Sequence, residues 1–596
     1  PARRAALLRA CLRSHPENLI ARHAPYARLA ALAEPFCSEE SAGYASDALL
    51  RDLATWYHLA WLGETVRRSD ARVAQLAQQA QGYSASQRRT LLVLIGELLS
   101  GILPRYRALA DAGKVELAMS PYAHPILPLL LDFASARESV PDAPLPRDPA
   151  YPGGAARAAW HLDEGLRVFE RVFGRRPLGC WPSEGAISQP TLPLLAAHGF
   201  AWAASGGAVL HGCLSGTPEA GDALPEARFW RGDGAGPAML FRHDGLSDLI
   251  GFSYSKWHGD DAVRNFIHEL EGCARACDGR DDAVLLVALD GENAWEHYPY
   301  NGYYFLAGLY AALAAHPRFE LTTPQALLER GLPAAPLPRV VAGSWVHGTL
   351  ATWIGEPDKN TAWNLLVEAK RAADAVLARL GPDAAQRRSI ERQLALCESS
   401  DWFWWFGDYN PAAAVRDFDQ LFRHQLASLY RLLGHEAPAA LAPLASAIPA
   451  KLSPPQASAR RPLLVLVAED NAINRLVATQ LLKKLGHRAL VAENGEEALA
   501  MVREGREAID LVLMDVQMPV LDGNEATRQI REFERARGRP RLPVIALTAN
   551  AYEEDRKASE AAGMDDFLSK PVSHEQLVAV LARIGAATPE PRELAP

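Results

Sequence analysis

The chain has 596 residues, 49% of them hydrophobic and 22% charged, which is enough apolar material for packed cores and excludes a wholly disordered, collagen-like or low-complexity protein. Lys and Arg number 62 against 71 Asp and Glu, and a net charge of −9 gives no general attraction to nucleic acid or anionic lipid. Seven cysteines scattered over this length are unlike a disulfide framework and read as reduced thiols of a cytoplasmic protein. Cys273 and Cys277 stand one helical turn apart, but no second pair follows at metal-site spacing. No apolar stretch of about 20 residues is present to cross a bilayer, so neither nucleic acid nor membrane is an expected partner.

In chain order, residues 52–68 carry Leu53, Trp56, Tyr57, Ala60 and Trp61 at helical spacing, and residues 91–103 do likewise; both read as helices packed on a core. Short apolar runs at 115–119, 178–181, 201–204, 238–241 and 284–289 read as strands, several ending in polar or aromatic residues. Strands alternating with helices on this scale predict a parallel barrel over residues 1–340. Chemistry gathers at the C-terminal strand ends of such a barrel, because loops there vary without disturbing the packed interior. Residues 341–436 turn largely helical and read as a cap region. Residues 437–461, rich in Ala, Pro and Ser, read as a linker.

Two strand ends carry acids. The run VLLVALDGENAWEHYPY (284–300) changes from apolar to polar at Asp290, and GCWPSEGAIS (179–188) places Glu184 just after another predicted strand. Glycoside hydrolysis needs such a pair: one group protonates the leaving oxygen while the other attacks or stabilises an oxocarbenium-like centre. Trp181, Trp295, Trp353, Trp402, Trp404 and Trp405 would supply flat apolar platforms for sugar rings. A strand-end acid taken singly is more often a cap or a surface charge, and tryptophan is more often core, so residue types and spacing leave that reading open.

The segments DLATWYHLAWLGE (52–64), SPYAHPILPLLLD (120–132), GCWPSEGAIS, LSDLIGFSY (246–254), LDGENAWEHY (289–298), TWIGEPDKNTAW (352–363) and SDWFWWFGD (400–408) resemble, in the same order, glycoside hydrolase family 57. The resemblance implies a distorted (β/α)7 barrel with a C-terminal helical region and retaining chemistry on α-glucans or maltooligosaccharides, by hydrolysis or transglycosylation. It makes Glu184 the nucleophile and Asp290 the general acid and base. His124 is implied to hydrogen-bond sugar hydroxyls, Arg242, Asp244 and Asp248 to share the rim, and Trp353, Trp402 and Trp404 to line the cleft. No cofactor is expected for this half. The family's opening His-Gln-Pro segment does not occur before Asp52, so an N-terminally incomplete barrel is expected, with a catalytically impaired glucan-sensing protein as the alternative.

From Leu463 the alternation is cleaner, and five strands interleaved with helices predict a doubly wound, flavodoxin-like (βα)5 domain over 462–585, followed by a Pro-rich tail at 586–596 that reads as disordered. Glu469 and Asp470 follow the first strand, Asp515 the third, Thr548 the fourth and Lys570 the fifth. Three converging carboxylates repel one another and require a hard divalent cation, Mg2+. AEDNAINR, LMDVQMPVLDGNEATRQIR, IALTANA and AGMDDFLSKP closely resemble response-regulator receivers, especially those attached to hybrid histidine kinases. This implies Asp515 as phosphoacceptor and Glu469, Asp470 and Asp515 as the metal site, with the main-chain carbonyl of Gln517. It also implies Thr548 and Lys570 as phosphate sensors and Phe567 as the switch aromatic. Kinase glycine boxes are missing from the sequence, so phosphate is expected from a separate histidine kinase or histidine phosphotransfer protein. The combined expectation is an α-glucan-active enzyme whose activity or location is tuned by a receiver.

Overall fold

The computed structural model describes the chain except residues 233–235, 292–294, 382–383, 408, 442–462, 471–474, 476–477, 480, 484, 486, 506–508, 517, 519, 549–558, 560, 570–576, 578–580 and 582–596. It divides into two units, Pro1–Pro443 and Leu444–Pro596.

The first unit opens with helices alone. Ala2–Leu12, Ala24–Ala33, Asp47–Trp61, Glu64–Ser69, Ala71–Gln79 and Ala85–Asp111 precede any strand, and most of them enclose a core built on Leu8, Tyr26, Leu53, Trp56, Leu59, Leu76 and Leu91. Three of the six begin at a side-chain cap. The Ser46 side chain accepts from Leu49 N, and Ser84 and Gln87 form a reciprocal capping box, each satisfying an N–H that the helix leaves unpaired. The predicted 52–68 helix is two helices, because the backbone turns extended at Leu62 and Gly63.

The sheet consists of β1 (Gly179–Cys180), β2 (Trp202–Gly206), β3 (Phe229–Gly232), β4 (Ala238–Arg242) and β5 (Ala334–Leu337), in the order β1-β2-β4-β3-β5. The pairs β1–β2 and β2–β4 are parallel, β3–β4 is antiparallel and β3–β5 is parallel. Met119 makes a parallel bridge to Cys180 and Leu286 one to Arg242, extending the parallel series on both sides of β1-β2-β4. Thus the predicted strands at 115–119 and 284–289 each contribute one bridging residue rather than a ladder. Among the described residues these pairings leave the sheet open. β2 and β4 are buried along their whole length, as continuous apolar runs of parallel strands should be, and Leu162 and Leu166 of helix Gly154–Phe173 join their core.

The C-terminal part of this unit is helical: Pro357–Leu377, Ala385–Cys397, Ser400–Trp405 and Ala412–Leu432 surround Trp353, Trp363, Phe403 and Phe422. Leu129, Leu130 and Phe133 share this core, so the predicted cap is continuous with the α/β layer. Of the predicted linker, residues 437–441 are described. Leu441 is buried in the same core and the Ala440 carbonyl accepts from Arg423; the rest of the linker, from 442 on, lies outside the described residues.

The second unit is a fully parallel sheet of β6 (Leu464–Ala468), β7 (Arg488–Ala492), β8 (Leu511–Asp515), β9 (Val544–Thr548) and β10 (Asp566–Ser569), in the order β10-β9-β8-β6-β7. Separate apolar clusters cover its two faces, as a doubly wound sheet requires. Helix Gly523–Arg537 starts where the Asp522 side chain accepts from Glu525 N. Glycine is required at 523, where a Cβ would lie 2.0 Å from the Asp515 carbonyl oxygen. The predicted tail at 586–596 lies outside the described residues. No helix among the described residues is long and apolar enough to cross a membrane.

Candidate functional site

Beyond β1 the chain makes a tight turn, Ser183–Gly185, in which Glu184 adopts φ 56° and ψ 25°. Left-handed backbone costs a non-glycine residue roughly 1–2 kcal/mol, and the surrounding hydrogen bonds impose it here. Trp345 N donates to the Glu184 carbonyl (3.1 Å) and Ser205 Oγ to the Gly185 carbonyl (2.6 Å). The carboxylate is only 19% exposed; its Oε2 accepts from Trp345 Nε1 at 3.0 Å and its Oε1 lies 3.9 Å from His124 Nδ1. His124 is itself left-handed, at φ 57°, and is anchored twice by Ser400: Ser400 N donates to its carbonyl (2.9 Å), and Ser400 Oγ is 2.8 Å from its Nδ1. The loop that follows Met119 and the turn that follows β1 therefore meet at Glu184. Trp181 flanks them, its ring edge-on to Trp345 at 5.3 Å.

At the end of β4, Arg242 is buried and fully committed. Its Nε donates to the Ala288 carbonyl (2.8 Å), one terminal nitrogen donates to Asp244 Oδ1 (2.8 Å), and the other pairs with Asp248. Asp244 Oδ2 also accepts from Ala208 N (3.0 Å), at the start of helix Gly207–Leu214. Arg242, Asp244 and Asp248 thus brace the rim. Ala288 precedes the exposed Asp290 by two residues. Because β1, β2, β4 and Leu286 are successive parallel neighbours, Glu184 and Asp290 leave the same edge of the sheet. Trp345 and Arg242 connect the two turns, the guanidinium standing 5.5 Å over the indole.

The tryptophans divide. Trp353 has no exposed surface, and its carbonyl accepts from Trp363 Nε1 (3.0 Å), so this residue packs in the core rather than lining a cleft. Trp402 donates its indole N–H to the Leu396 carbonyl (2.7 Å) and packs on Phe422. Trp405 stacks on Phe418, and Trp295 turns onto Tyr298. Trp404 is 36% exposed and keeps a face toward solvent. Trp345 and Ser400, absent from the sequence-based candidates, make the direct contacts in the site. Trp345 lies in a segment without periodicity; its nearest signal is Gly206, where a Cβ would come within 2.6 Å of the Trp345 Cα.

Beneath His124 lies a buried ionic cluster. Glu398 accepts from Tyr151 Oη (2.6 Å), from Arg157 Nε (3.0 and 3.1 Å) and from a terminal Arg157 nitrogen (2.7 Å), and stands 2.8 Å from His161 Nε2. Burial opposes its ionisation, yet Arg157 and the His161 contact outweigh that and hold the Glu398 carboxyl at about 2. Tyr122 N donates to the His161 carbonyl (3.0 Å), and His161 Nδ1 contacts the Tyr122 carbonyl. The cluster thereby clamps the segment two residues before His124 as well as the one two residues before Ser400.

In the second unit, β6 and β8 are neighbours, so Glu469, Asp470 and Asp515 emerge side by side at their C-terminal ends. One oxygen from each lies within 4.8 Å of the others; Glu469 and Asp515 are buried and Asp470 is exposed. This all-oxygen donor set fits a hard cation of the Mg2+ type. Thr548 is the last residue of β9, in register with Ser569 of β10, and Phe567 lies two residues earlier in β10. Gln517 and Lys570 lie outside the described residues.

An α/β unit with two acids at one sheet edge is thus joined to a doubly wound unit with an acidic strand-end cluster. Comparison with known proteins agrees: Glycosyl hydrolase family 57 matches residues 37–335, and Response regulator receiver domain matches residues 465–582. The chain belongs to glycosyl hydrolase family 57 and carries a response-regulator receiver domain. Sensor protein GacS of Pseudomonas syringae pv. syringae is 42% identical over 137 residues, 23% of this chain; the chain spans only 15% of that relative's length. The receiver domain of a sensor histidine kinase from Pseudomonas aeruginosa PAO1, crystallised with magnesium coordinated in its active-site cleft, is 40% identical, covering 21% of this chain and 99% of that one, with a TM-score of 0.20. A family 57 branching enzyme from Thermococcus kodakaraensis is 15% identical, covering 65% of this chain and 79% of that one, with a TM-score of 0.47.

Proposed function

We propose that the first unit cleaves or transfers α-glucan chains with retention, Glu184 forming the glycosyl-enzyme and Asp290 first protonating the leaving oxygen and then activating the acceptor. The observation that carries this reading is the held carboxylate of Glu184, fixed in a left-handed turn against Trp345 and facing His124, at the sheet edge that Asp290 also leaves. Retaining chemistry needs a nucleophile aimed at the anomeric carbon and a second carboxyl across the bond. The test is trapping with a 5-fluoro-α-glucosyl fluoride and mass mapping of the labelled peptide. The label is expected on Glu184; a label on another residue, or turnover of maltooligosaccharides without any trapped species, overturns the reading.

The receiver is proposed to take a phosphoryl group on Asp515 from a histidine kinase or histidine phosphotransfer protein, and the likeness to sensor-kinase receivers supports that donor. Asp515 attacks phosphorus as the bond to the donor histidine nitrogen breaks. A Mg2+ ion held by Glu469, Asp470 and Asp515 would supply positive charge to the transferred oxygens. Thr548 and Lys570 are the proposed phosphate sensors and Phe567 the switch aromatic. A reducing, cytoplasmic setting is proposed from the seven cysteines scattered over the sequence. Asp515→Asn is expected to reduce phosphorylation by acetyl phosphate to background, read as the loss of the retarded band in a phosphate-affinity gel. An unchanged band sinks the assignment. Phosphorylation is further proposed to tune the hydrolase, and equal turnover with and without phosphodonor excludes that coupling for activity.

A further inference from the structure

We infer that Trp345 is the positioning residue that aims Glu184 and fixes the orientation of its carboxylate; the inference rests on reading Glu184 as the nucleophile. Residues 343–345 run antiparallel to residues 184–187 and are tied to them by three main-chain hydrogen bonds. Ile187 N donates to the Gly343 carbonyl (3.0 Å), Gly343 N to the Ile187 carbonyl (3.1 Å) and Trp345 N to the Glu184 carbonyl (3.1 Å). One residue thus grips Glu184 at both ends, its backbone N–H on the carbonyl and its indole N–H on Oε2 (3.0 Å). The indole cannot drift, because Trp181 packs edge-on to it and the Arg242 guanidinium covers it at 5.5 Å. Arg242 is in turn tied to Ala288, two residues before Asp290.

One consequence follows from chemistry. An N–H aimed at one carboxylate oxygen restricts rotation of the group, so that attack geometry is present before the sugar arrives. An indole serves better than a lysine for this purpose. It donates one directed hydrogen bond without placing a full charge beside a centre that becomes oxocarbenium-like, where a cation would repel the transition state.

Trp345→Phe keeps the ring and removes the donor. Its kcat/KM on a maltooligosaccharide is expected to fall about 10- to 100-fold, the range of a hydrogen bond to a charged group, with the loss in kcat rather than KM. Trp345→His, which restores a ring N–H, should recover part of the loss. Should the phenylalanine variant be unfolded, the comparison is made between Trp345→His and Trp345→Leu. A loss carried by KM rather than kcat, or a histidine variant no better than its N–H-free counterpart, overturns the inference. Glu184→Gln measured alongside separates the two readings: if that variant retains turnover, the nucleophile assignment itself has failed.

Discussion

Glu184→Gln is expected to lower maltooligosaccharide kcat/KM on the order of 10⁴-fold or more, the scale seen when a covalent nucleophile is removed. The substitution is sterically neutral. The glutamine amide oxygen accepts from Trp345 Nε1 as the carboxylate does, and the left-handed turn is held by the main-chain bonds of Trp345 and by Ser205, which the change does not touch. Folding, glucan binding and the melting temperature should therefore stay near those of the parent, while covalent attack is lost because a neutral amide is a poor nucleophile. Asp290→Asn should show a different pattern. Loss of general acid catalysis costs about 10²- to 10⁴-fold on an ordinary glucan, whereas a substrate with an activated leaving group needs no proton for the first step and should still form the glycosyl-enzyme. The check is a pair of substrates, a maltooligosaccharide and an α-glucosyl fluoride, against both variants. If Glu184→Gln processes either at a parental rate, or if the two variants respond identically, the division of labour proposed here is wrong.

The receiver's parallel sheet was legible because strand follows helix at regular spacing, and Glu469, Asp470 and Asp515 were legible as a group because the topology delivers neighbouring strand ends to one edge. The larger unit was legible only where apolar runs coincided with pairing. β3 carries Arg231 and Gly232, and β5 contains Pro336, which removes a ladder donor, so neither reads as a strand. Of the N-terminal helices only the stretches at 52–68 and 91–103 were expected as helices, and nothing in their pattern says that they share a core with Leu8 and Tyr26. The tryptophans show the sharper limit. Trp353 and Trp345 are eight residues apart and equally apolar, yet one is enclosed by Trp363 and the other approaches Glu184 only because Gly206 lets its backbone pass. Residue type and spacing carry no information about such a long-range approach. The roles of Ser400 and Glu398 were hidden for the same reason, since each depends on a partner more than 230 residues away.

Glu398→Ala is expected to destabilise the first unit by about 3–5 kcal/mol, the cost of leaving a buried ionic partner uncompensated. Arg157 would lose its carboxylate, keeping only the Glu391 carbonyl (3.2 Å), while Tyr151 Oη and His161 Nε2 would lose theirs at the same time. The pH dependence has a definite sign. The Glu398 carboxyl sits at about 2 in the folded protein, below the ordinary 4.5, so its contribution is fully present above about pH 4.5 and is lost as the pH falls toward 2. The melting temperature of the parent should therefore drop toward that of Glu398→Ala over that window, and the gap between them should be widest at neutral pH. Function should follow stability here, because the cluster clamps Tyr122 through His161 and lies two residues from Ser400, the two points that present His124 to Glu184. Even below its melting transition the variant should turn over glucan more slowly than the parent. Thermal melts of both proteins from pH 7 to pH 3 decide the matter: a variant that melts within a degree of the parent at pH 7, or a gap that widens on acidification, shows that the cluster does not hold this fold together.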